Sequence, residues 1–241
     1  MKAFLRPATA PFGVLAFWGG MALAARHYPA KYDWQYTPLS GLISPSRDPG
    51  GHLWASGGAL LCGLCGFCWV AALVRKYKNQ SAKERPGGTW PLRLGNFFMI
   101  CSAVLPSKLL RVSKGHEILV TLAFAGLCLG MVSLTFQTVH RRLLRRTGAA
   151  SGRPRFYAAV LAGGAVFPIV LAGLAQAYVY YALPQLHWVN RTWRARGVPV
   201  YLSFAFWEWV TCAVLSAYMA AIPLLAMHVG QRYGREPIQR G

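Results

Sequence analysis

Residues 52–74, HLWASGGALLCGLCGFCWVAALV, are the clearest indication of how this chain folds. This stretch contains no Asp, Glu, Lys or Arg, and about 20 apolar residues are enough for an α-helix to cross a hydrocarbon core roughly 30 Å thick. The basic residues Arg75 and Lys76 follow it directly. The stretch therefore predicts a helix that spans a membrane and ends at a basic border.

Five further apolar runs of similar length lie on both sides of this one. Together they predict an all-α, polytopic membrane protein, a bundle of six transmembrane helices in which residues 1–241 form a single domain. The predicted spans are 8–25, 52–74, 90–110, 115–138, 156–182 and 200–228. The composition agrees, because 55% of the residues are hydrophobic and only 13% are charged, whereas a soluble domain carries about 25% charged residues.

The basic residues lie mostly between the apolar runs and are unevenly divided between the two sides. Of the 26 Lys and Arg residues, 17 fall on one side and 9 on the other. Since the side rich in basic residues faces the cytoplasm, we expect cytoplasmic N and C termini, three outward loops and a bacterial inner (plasma) membrane. The formal charge of +20 then favours contact with anionic lipids and excludes a nucleic-acid partner, whose site would gather these residues on one folded face. Protein partners are not predicted.

The first span has an alternative interpretation as a cleaved signal peptide. Lys2 and Arg6 precede the run, and Ala22-Leu23-Ala24 supplies the small residues of a cleavage site. The run is longer than a usual signal core, so a retained span is favoured.

Glu208 is the carboxylate buried deepest in a predicted span. At 1.5 Å per residue it lies about 12 Å below Val200, and Gln176 of the preceding span lies about 9 Å deep. A carboxylate at this depth needs a partner, which predicts a hydrogen bond between Glu208 and Gln176. Whether this pair holds the bundle together or takes part in function stays open at this point.

Further polar residues gather where the spans reach the outer side, and they suggest a site. The main hypothesis is that the protein binds or organises lipid through an outward-facing polar pocket, with no cofactor. Its candidate ligand-binding residues are Glu208, Gln176, His116, Glu117, Ser40 and Asp33.

A metal site is the alternative. Three imidazoles that leave a fourth position for water would suit a catalytic zinc ion, and His52, His116 and His187 all lie at the outer side. The protein would then be a lipid hydrolase or transferase, with catalytic residues that no local motif identifies. A third hypothesis, a small transporter, lacks a polar path, since the inner halves of the spans offer mainly Asn96 and Gln137.

Small residues and prolines inside the spans predict packing and kinks. Glycine permits close approach of helices in a membrane, so we expect helix contacts at Gly57, Gly58, Gly63, Gly66, Gly163, Gly164 and Gly173. Pro106, Pro168 and Pro223 are candidate kinks. The cysteines at 62, 65 and 68 are expected to be small packing residues without disulfides.

The first outer loop predicts a short helix that would cover the polar residues. Thr37 would cap it, Pro38 would occupy its first position, and Ser44-Pro45 would end it. The helix would bury Leu39, Leu42 and Ile43. A lid and a plain ordered loop both agree with this pattern.

The stretch YDWQYTPLSGL, residues 32–42, is followed by Asp48-Pro49-Gly50-Gly51 and a Gly-rich span. It resembles the first outer loop of bacterial six-span membrane proteins of unknown function related to the FGF-receptor-activating protein and damage-regulated autophagy modulator group. His116-Glu117 also fits their pattern, whereas Gly41 departs from it. The resemblance covers about the first 125 residues. It implies a six-helix bundle, cytoplasmic termini and association with membrane lipids, and it brings no catalytic residues.

Overall fold

A computed structural model of the protein describes residues 2–77, 87–105, 115–147, 153–183, 186 and 193–231. Of these residues 80% are helical and none lies in a strand, which confirms the all-α prediction. The helices are α1 (Lys2–His27), α2 (Ser40–Ile43), α3 (His52–Lys76), α4 (Thr89–Val104), α5 (Gly115–Thr147), α6 (Arg153–Gly164), α7 (Phe167–Ala182) and α8 (Phe204–Gln231). A 3-10 turn, Val200–Leu202, precedes α8.

Four helices are long and apolar enough to cross a membrane, at Ala8–His27, His52–Lys76, Ile118–Arg141 and Phe204–Ile222. A fifth is added if α6 and α7, bent by 53°, count as one broken span. The predicted span 90–110 corresponds to α4, which has 16 residues, and residues 106–110 lie outside the described part of the chain. The described residues thus hold four or five candidate spans of a multi-pass membrane protein, and the sixth stays a prediction.

Five of the helices close a ring. The pairs in contact are α1 and α3, α3 and α4, α4 and α5, α5 and α8, and α8 and α1. The short helix α2 contacts α1 and α3, while α6 packs on α5 and α7 packs on α8. The ring therefore surrounds an interior to which the first and last spans both contribute.

Glycines let the backbones of α1 and α3 approach closely. A Cβ added to Gly20 would lie 2.5 Å from Trp54 O, and one added to Gly58 would lie 2.7 Å from Ala16 O. Close van der Waals contact of this kind drives helix association in membranes, so α1 is integrated into the bundle. The expected contacts at Gly58, Gly63, Gly66 and Gly164 are confirmed, whereas Gly57, Gly163 and Gly173 have no neighbour within 4 Å.

The predicted kink at Pro168 is confirmed. The helix breaks at Ala165 and Val166, and α7 begins at Phe167 with Pro168 in its first turn. Proline has no N–H to donate, and it therefore suits the start of a helix better than its interior. By contrast, α8 continues through Pro223, and Pro106 lies outside the described residues.

The six cysteines are free thiols. Cys62 is buried in the core and Cys65 is partly buried, as expected of small packing residues, whereas Cys68 is exposed on α3, so the packing prediction is wrong for Cys68. Cys128 and Cys212 are also buried. The absence of disulfides among these six residues agrees with the prediction from their positions inside apolar runs.

Candidate functional site

The loop between α1 and α3, residues 28–51, is called the first loop here, and α2 lies within it. Leu39 and Leu42 are buried, and Ile43 packs partly buried against the same core. The predicted short helix is therefore confirmed. Ser44 ends it in an extended conformation, as the residue before a proline prefers.

The predicted cap of this helix is wrong. Helix α2 begins at Ser40, and no side chain of the preceding residue, Leu39, caps it. Thr37 lies further back in a turn, where its backbone N–H donates to Asp33 O at 2.7 Å. A threonine caps a helix only when its side-chain oxygen reaches the second or third N–H of the first turn, and here the turn places Thr37 too early.

The start of α2 is instead satisfied by Glu208 of α8. Glu208 Oε2 accepts a hydrogen bond from Leu39 N at 2.7 Å, and Oε1 accepts one from Ser40 N at 3.3 Å. The first N–H groups of a helix have no partner within the helix, and a carboxylate is a strong acceptor for them. Glu208, only 8% exposed, thus fastens the first loop to α8.

The predicted pair of Glu208 and Gln176 does not describe the contacts that form. Gln176 Nε2 donates to Leu202 O at 2.9 Å, in the turn before α8. Because α8 begins at Phe204 instead of Val200, Glu208 lies about 6 Å from the start of its helix, half the predicted depth. It therefore meets the first loop above it, and Gln176 stabilises the turn.

An exposed ion pair forms a second attachment of the first loop. Arg194 Nε lies 2.6 Å from Asp33 Oδ2 and Arg194 Nη2 lies 2.9 Å from Asp33 Oδ1, a two-point contact. The hydrogen bond from Arg194 lowers the pKa of Asp33, and the same bond raises the pKa of Arg194. Asp33, a predicted ligand residue, therefore anchors the loop in this structure.

Two tyrosines of the first loop make buried contacts with the same region. Tyr36 OH donates to Val198 O at 2.5 Å, and the Arg194 guanidinium lies 5.1 Å from the centre of the Tyr36 ring. Tyr32 OH donates to Thr37 O at 3.0 Å and accepts from Trp209 Nε1 at 3.2 Å. Burial raises the pKa of Tyr32. The first loop is thus attached to the segment 194–209, through contacts with Glu208, Arg194, Val198 and Trp209.

The motif Asp48-Pro49-Gly50-Gly51 forms the turn into α3. Asp48 is fully buried, and its Oδ1 accepts from Gly51 N at 2.9 Å. His52 Nδ1 lies 3.0 Å from Asp48 O, a carbonyl that only accepts, so Nδ1 carries the proton. A Cβ at Gly51 would lie 2.6 Å from Ala24 O. The motif is therefore explained by packing of the turn against α1.

A cavity of about 60 Å³ lies between α2 and the ring of helices. Its wall is mainly apolar, and it includes Phe17 of α1, Ala59 of α3, Met99 of α4, Leu127 of α5 and Met219 of α8. Oxygen atoms come from the side chains of Ser40, Ser102, Ser216 and Glu208, and thiols from Cys62 and Cys212. Sites for small molecules have this composition, a concave apolar wall with a few polar groups. The cavity and its α2 cover are the candidate functional site.

The other predicted site residues fall in different places. His116 is the second residue of α5 and is partly buried, and the side chain of Glu117 lies outside the described part. His187 also lies outside it. Among the described residues, no three His, Cys, Asp or Glu side chains are grouped as metal ligands. The zinc hypothesis therefore stays a prediction, since one of its three histidines is not described.

Of the six predicted ligand-binding residues, Glu208 and Ser40 line the cavity. Neither the cavity itself nor the attachment through Tyr32, Tyr36 and Arg194 was predicted from the sequence. One signal was available: Asp33 and Arg194 are opposite charges in loops predicted on the same side of the membrane. The cavity had no comparable signal, because its wall consists mainly of ordinary apolar residues from the five helices of the ring and from α2.

No known protein family, curated protein or solved structure matches this chain. The resemblance of residues 32–51 to the FGF-receptor-activating protein and damage-regulated autophagy modulator group therefore stays a prediction.

Proposed function

We propose that the protein binds the hydrocarbon part of a membrane lipid in the cavity beneath α2, with the first loop as its cover. One observation carries the proposal: an apolar cavity ringed by five helices, whose cover is held by the buried carboxylate of Glu208. The proposal includes the orientation expected from the basic residues, with cytoplasmic termini and the first loop facing out of a bacterial inner membrane.

The size of the cavity supports binding of part of a lipid. A cavity needs a volume of about 10–15 Å³ to hold one water molecule. A cavity of about 60 Å³ therefore accommodates a short length of hydrocarbon chain and not a whole phospholipid. Lipid tails are themselves as apolar as leucine. A chain that leaves the bilayer for the cavity therefore gains mainly close packing, with each well-placed pair of atoms contributing about 0.1–0.2 kcal/mol.

In this proposal the predicted site residues have roles that differ from those predicted for them in a polar pocket. Glu208 and Ser40 keep a place at the ligand because they line the cavity. Asp33 and Gln176 act as structural contacts of the first loop and of the turn before α8. The lipid hydrolase or transferase and the transporter remain predictions from the sequence.

Filling the cavity tests the proposal. Ala123 is buried in its wall, and Ala123→Phe should lower the amount of lipid that stays with the purified protein, measured by mass spectrometry after mild detergent extraction. Ala125 lies on the same helix and is exposed, so Ala125→Phe is the matched control and should retain the lipid of the wild type. Val120→Phe is a gentler second filling variant, because Val120 is only partly buried.

Only variants that elute from a sizing column like the wild type enter the comparison. If such filled variants carry the same lipid in the same amount as the wild type, the proposal is wrong.

A further inference from the structure

Glu208 is the strongest hydrogen-bond acceptor in the wall of the cavity. Glu208 places both carboxyl oxygens at the α2 end, where each accepts one backbone N–H. A carboxylate offers about four acceptor positions, so two remain. Ser102 Oγ donates its proton to Met99 O at 2.8 Å, which leaves its oxygen as an acceptor. Ser216 Oγ accepts from Trp18 Nε1 at 3.0 Å and keeps its own proton, but it lies about two turns of α8 away from Glu208. The Glu208 end of the wall is therefore suited to a ligand head that brings its own protons.

The charge of the wall also favours a ligand head that donates hydrogen bonds. In the part of the chain that the structure describes, no Lys, Arg or His lines the cavity. The positive charge of Arg47 acts on Glu208 from outside the cavity, because Arg47 is exposed on the first loop and is not part of the wall. An anionic group placed beside Glu208 would face a like charge in surroundings of low dielectric constant.

The shape of the cavity limits the number of chains. On α8 its lining runs from Glu208 through Cys212 and Leu215 to Met219, a spacing that keeps these side chains on one face of the helix. Eleven residues extend about 16 Å along a helix. A volume of about 60 Å³ beside this face has room for a single chain.

We infer that the ligand is a single-chain amphiphile whose head donates hydrogen bonds, an amine or an alcohol, and that the head binds Glu208 while the tail runs along α8 towards Met219. This inference rests on the proposed function and specifies its ligand class. The ammonium form of an amine is favoured over an alcohol, because hydrogen bonds between charged partners are about twice as strong as neutral ones. Amphiphiles with a carboxylate or phosphate head are excluded.

Four eight-carbon probes test the ligand class: octylamine, octanol, octanoate and octane. The full-length protein is embedded in lipid nanodiscs, and its thermal unfolding is followed with each probe at increasing concentration at pH 8, because a ligand that binds only the folded state raises Tm. Octylamine should bind about tenfold more tightly than octanol, and octanoate should bind most weakly. Ala123→Phe serves as the control for effects of the probes on the nanodisc itself.

Glu208→Gln separates the role of the carboxylate from that of the cavity. The amide keeps the size of the side chain and removes its charge, so the preference for octylamine over octanol should fall to about twofold or less, while octane still binds. The ratio of the two probes is taken within one variant, which cancels a general loss of stability. The order of the affinities of the four probes for the wild type tests the inference even if Glu208→Gln does not fold.

Two results overturn the inference and leave the proposed function intact. The first is tight binding of octanoate that Ala123→Phe abolishes, and the second is a preference for octylamine that is unchanged in Glu208→Gln. If no probe, octane included, distinguishes the wild type from Ala123→Phe, both the inference and the proposed function fail.

Discussion

Glu208 Oε2 accepts a hydrogen bond from the backbone N–H of Leu39 at 2.7 Å, across 169 positions of the chain. The bond joins the last described helix to the first loop, and it closes one end of the cavity inside the ring of helices. A carboxylate inside an apolar bundle is costly without partners. Here its partners are the backbone N–H groups at the start of α2, which would otherwise be buried without acceptors.

Glu208→Ala should release the first loop. The change leaves the N–H groups of Leu39 and Ser40 without their acceptor, at a cost of about 1–3 kcal/mol in the free energy of unfolding. Limited trypsin digestion reports the release, because Lys31 and Arg47 are exposed in the loop and should be cut faster. Glu208→Gln keeps an acceptor oxygen, so trypsin should cut this variant at a rate between those of the wild type and Glu208→Ala. Equal rates for all three proteins would contradict this role.

Tyr36→Phe should lower the free energy of unfolding by about 1 kcal/mol, the usual net value of one hydrogen bond. The phenol donates to Val198 O and the side chain is buried, so the carbonyl loses its partner. Chemical or thermal unfolding in detergent measures the change. The exposed Tyr181 provides the control, and Tyr181→Phe should leave stability unchanged. A similar loss in both variants would mean that the bond to Val198 contributes nothing specific.

The pair of Asp33 and Arg194 should contribute a pH-dependent and salt-dependent part of the stability. The pKa of Asp33 is lowered in the folded protein, whereas an unfolded Asp has a pKa of about 3.9. Since the unfolded state binds the proton more readily, stability from this group is fully present above about pH 4 and is lost as the pH falls through the lower folded value.

The measurement for this pair is unfolding as a function of pH and salt for the wild type and Arg194→Ala. The two curves should differ most at neutral pH and low salt and converge in acid, because the pair is exposed and salt screens exposed charges. A constant difference at every pH would show that Arg194 acts through packing on Tyr36 and not through its charge.

Gly58→Leu should separate α1 from α3. A Cβ at this position would lie 2.7 Å from Ala16 O, and overpacking of a tight contact costs about 1–3 kcal/mol. Gly57→Leu, one residue earlier and with no neighbour within 4 Å, is the matched control on the same helix. The expected result is a lower Tm for the first variant only, read from thermal unfolding of the detergent-solubilised protein. Similar Tm values for the two variants would argue against close packing at Gly58.

The zinc hypothesis has a direct test in the metal content of the purified protein. About one zinc per chain in the wild type, lost in His116→Ala, would support a site formed with His52 and His187. Elemental mass spectrometry of both proteins makes the measurement. Equal metal content in the two would contradict a role for His116 as a ligand, and the cavity proposal does not depend on either result.

Much of the architecture could be predicted from local sequence. The spans at 52–74 and 115–138 and the short helix before Ser44 depend on apolar length and on prolines that act over a few residues, and the structure has them. The start of the last span was harder to predict from the sequence. Val200 belongs to a 3-10 turn and α8 begins at Phe204, because Leu202 is held by Gln176 of another helix, a contact that hydropathy does not contain.

An all-α chain of apolar helices and an unusual carboxylate at Glu208 follow from the amino-acid order alone, because apolar runs and charges are properties of neighbouring residues. What Glu208 binds, which residues hold the first loop, and that a cavity exists follow from the folded arrangement of the helices. These contacts and the cavity depend on which helices are neighbours and on the position along the bundle at which each helix begins. Contacts between residues far apart in the chain, within the ring of five helices, determine the neighbours and the starting positions. A wall built from five helices has no signature in any one of them.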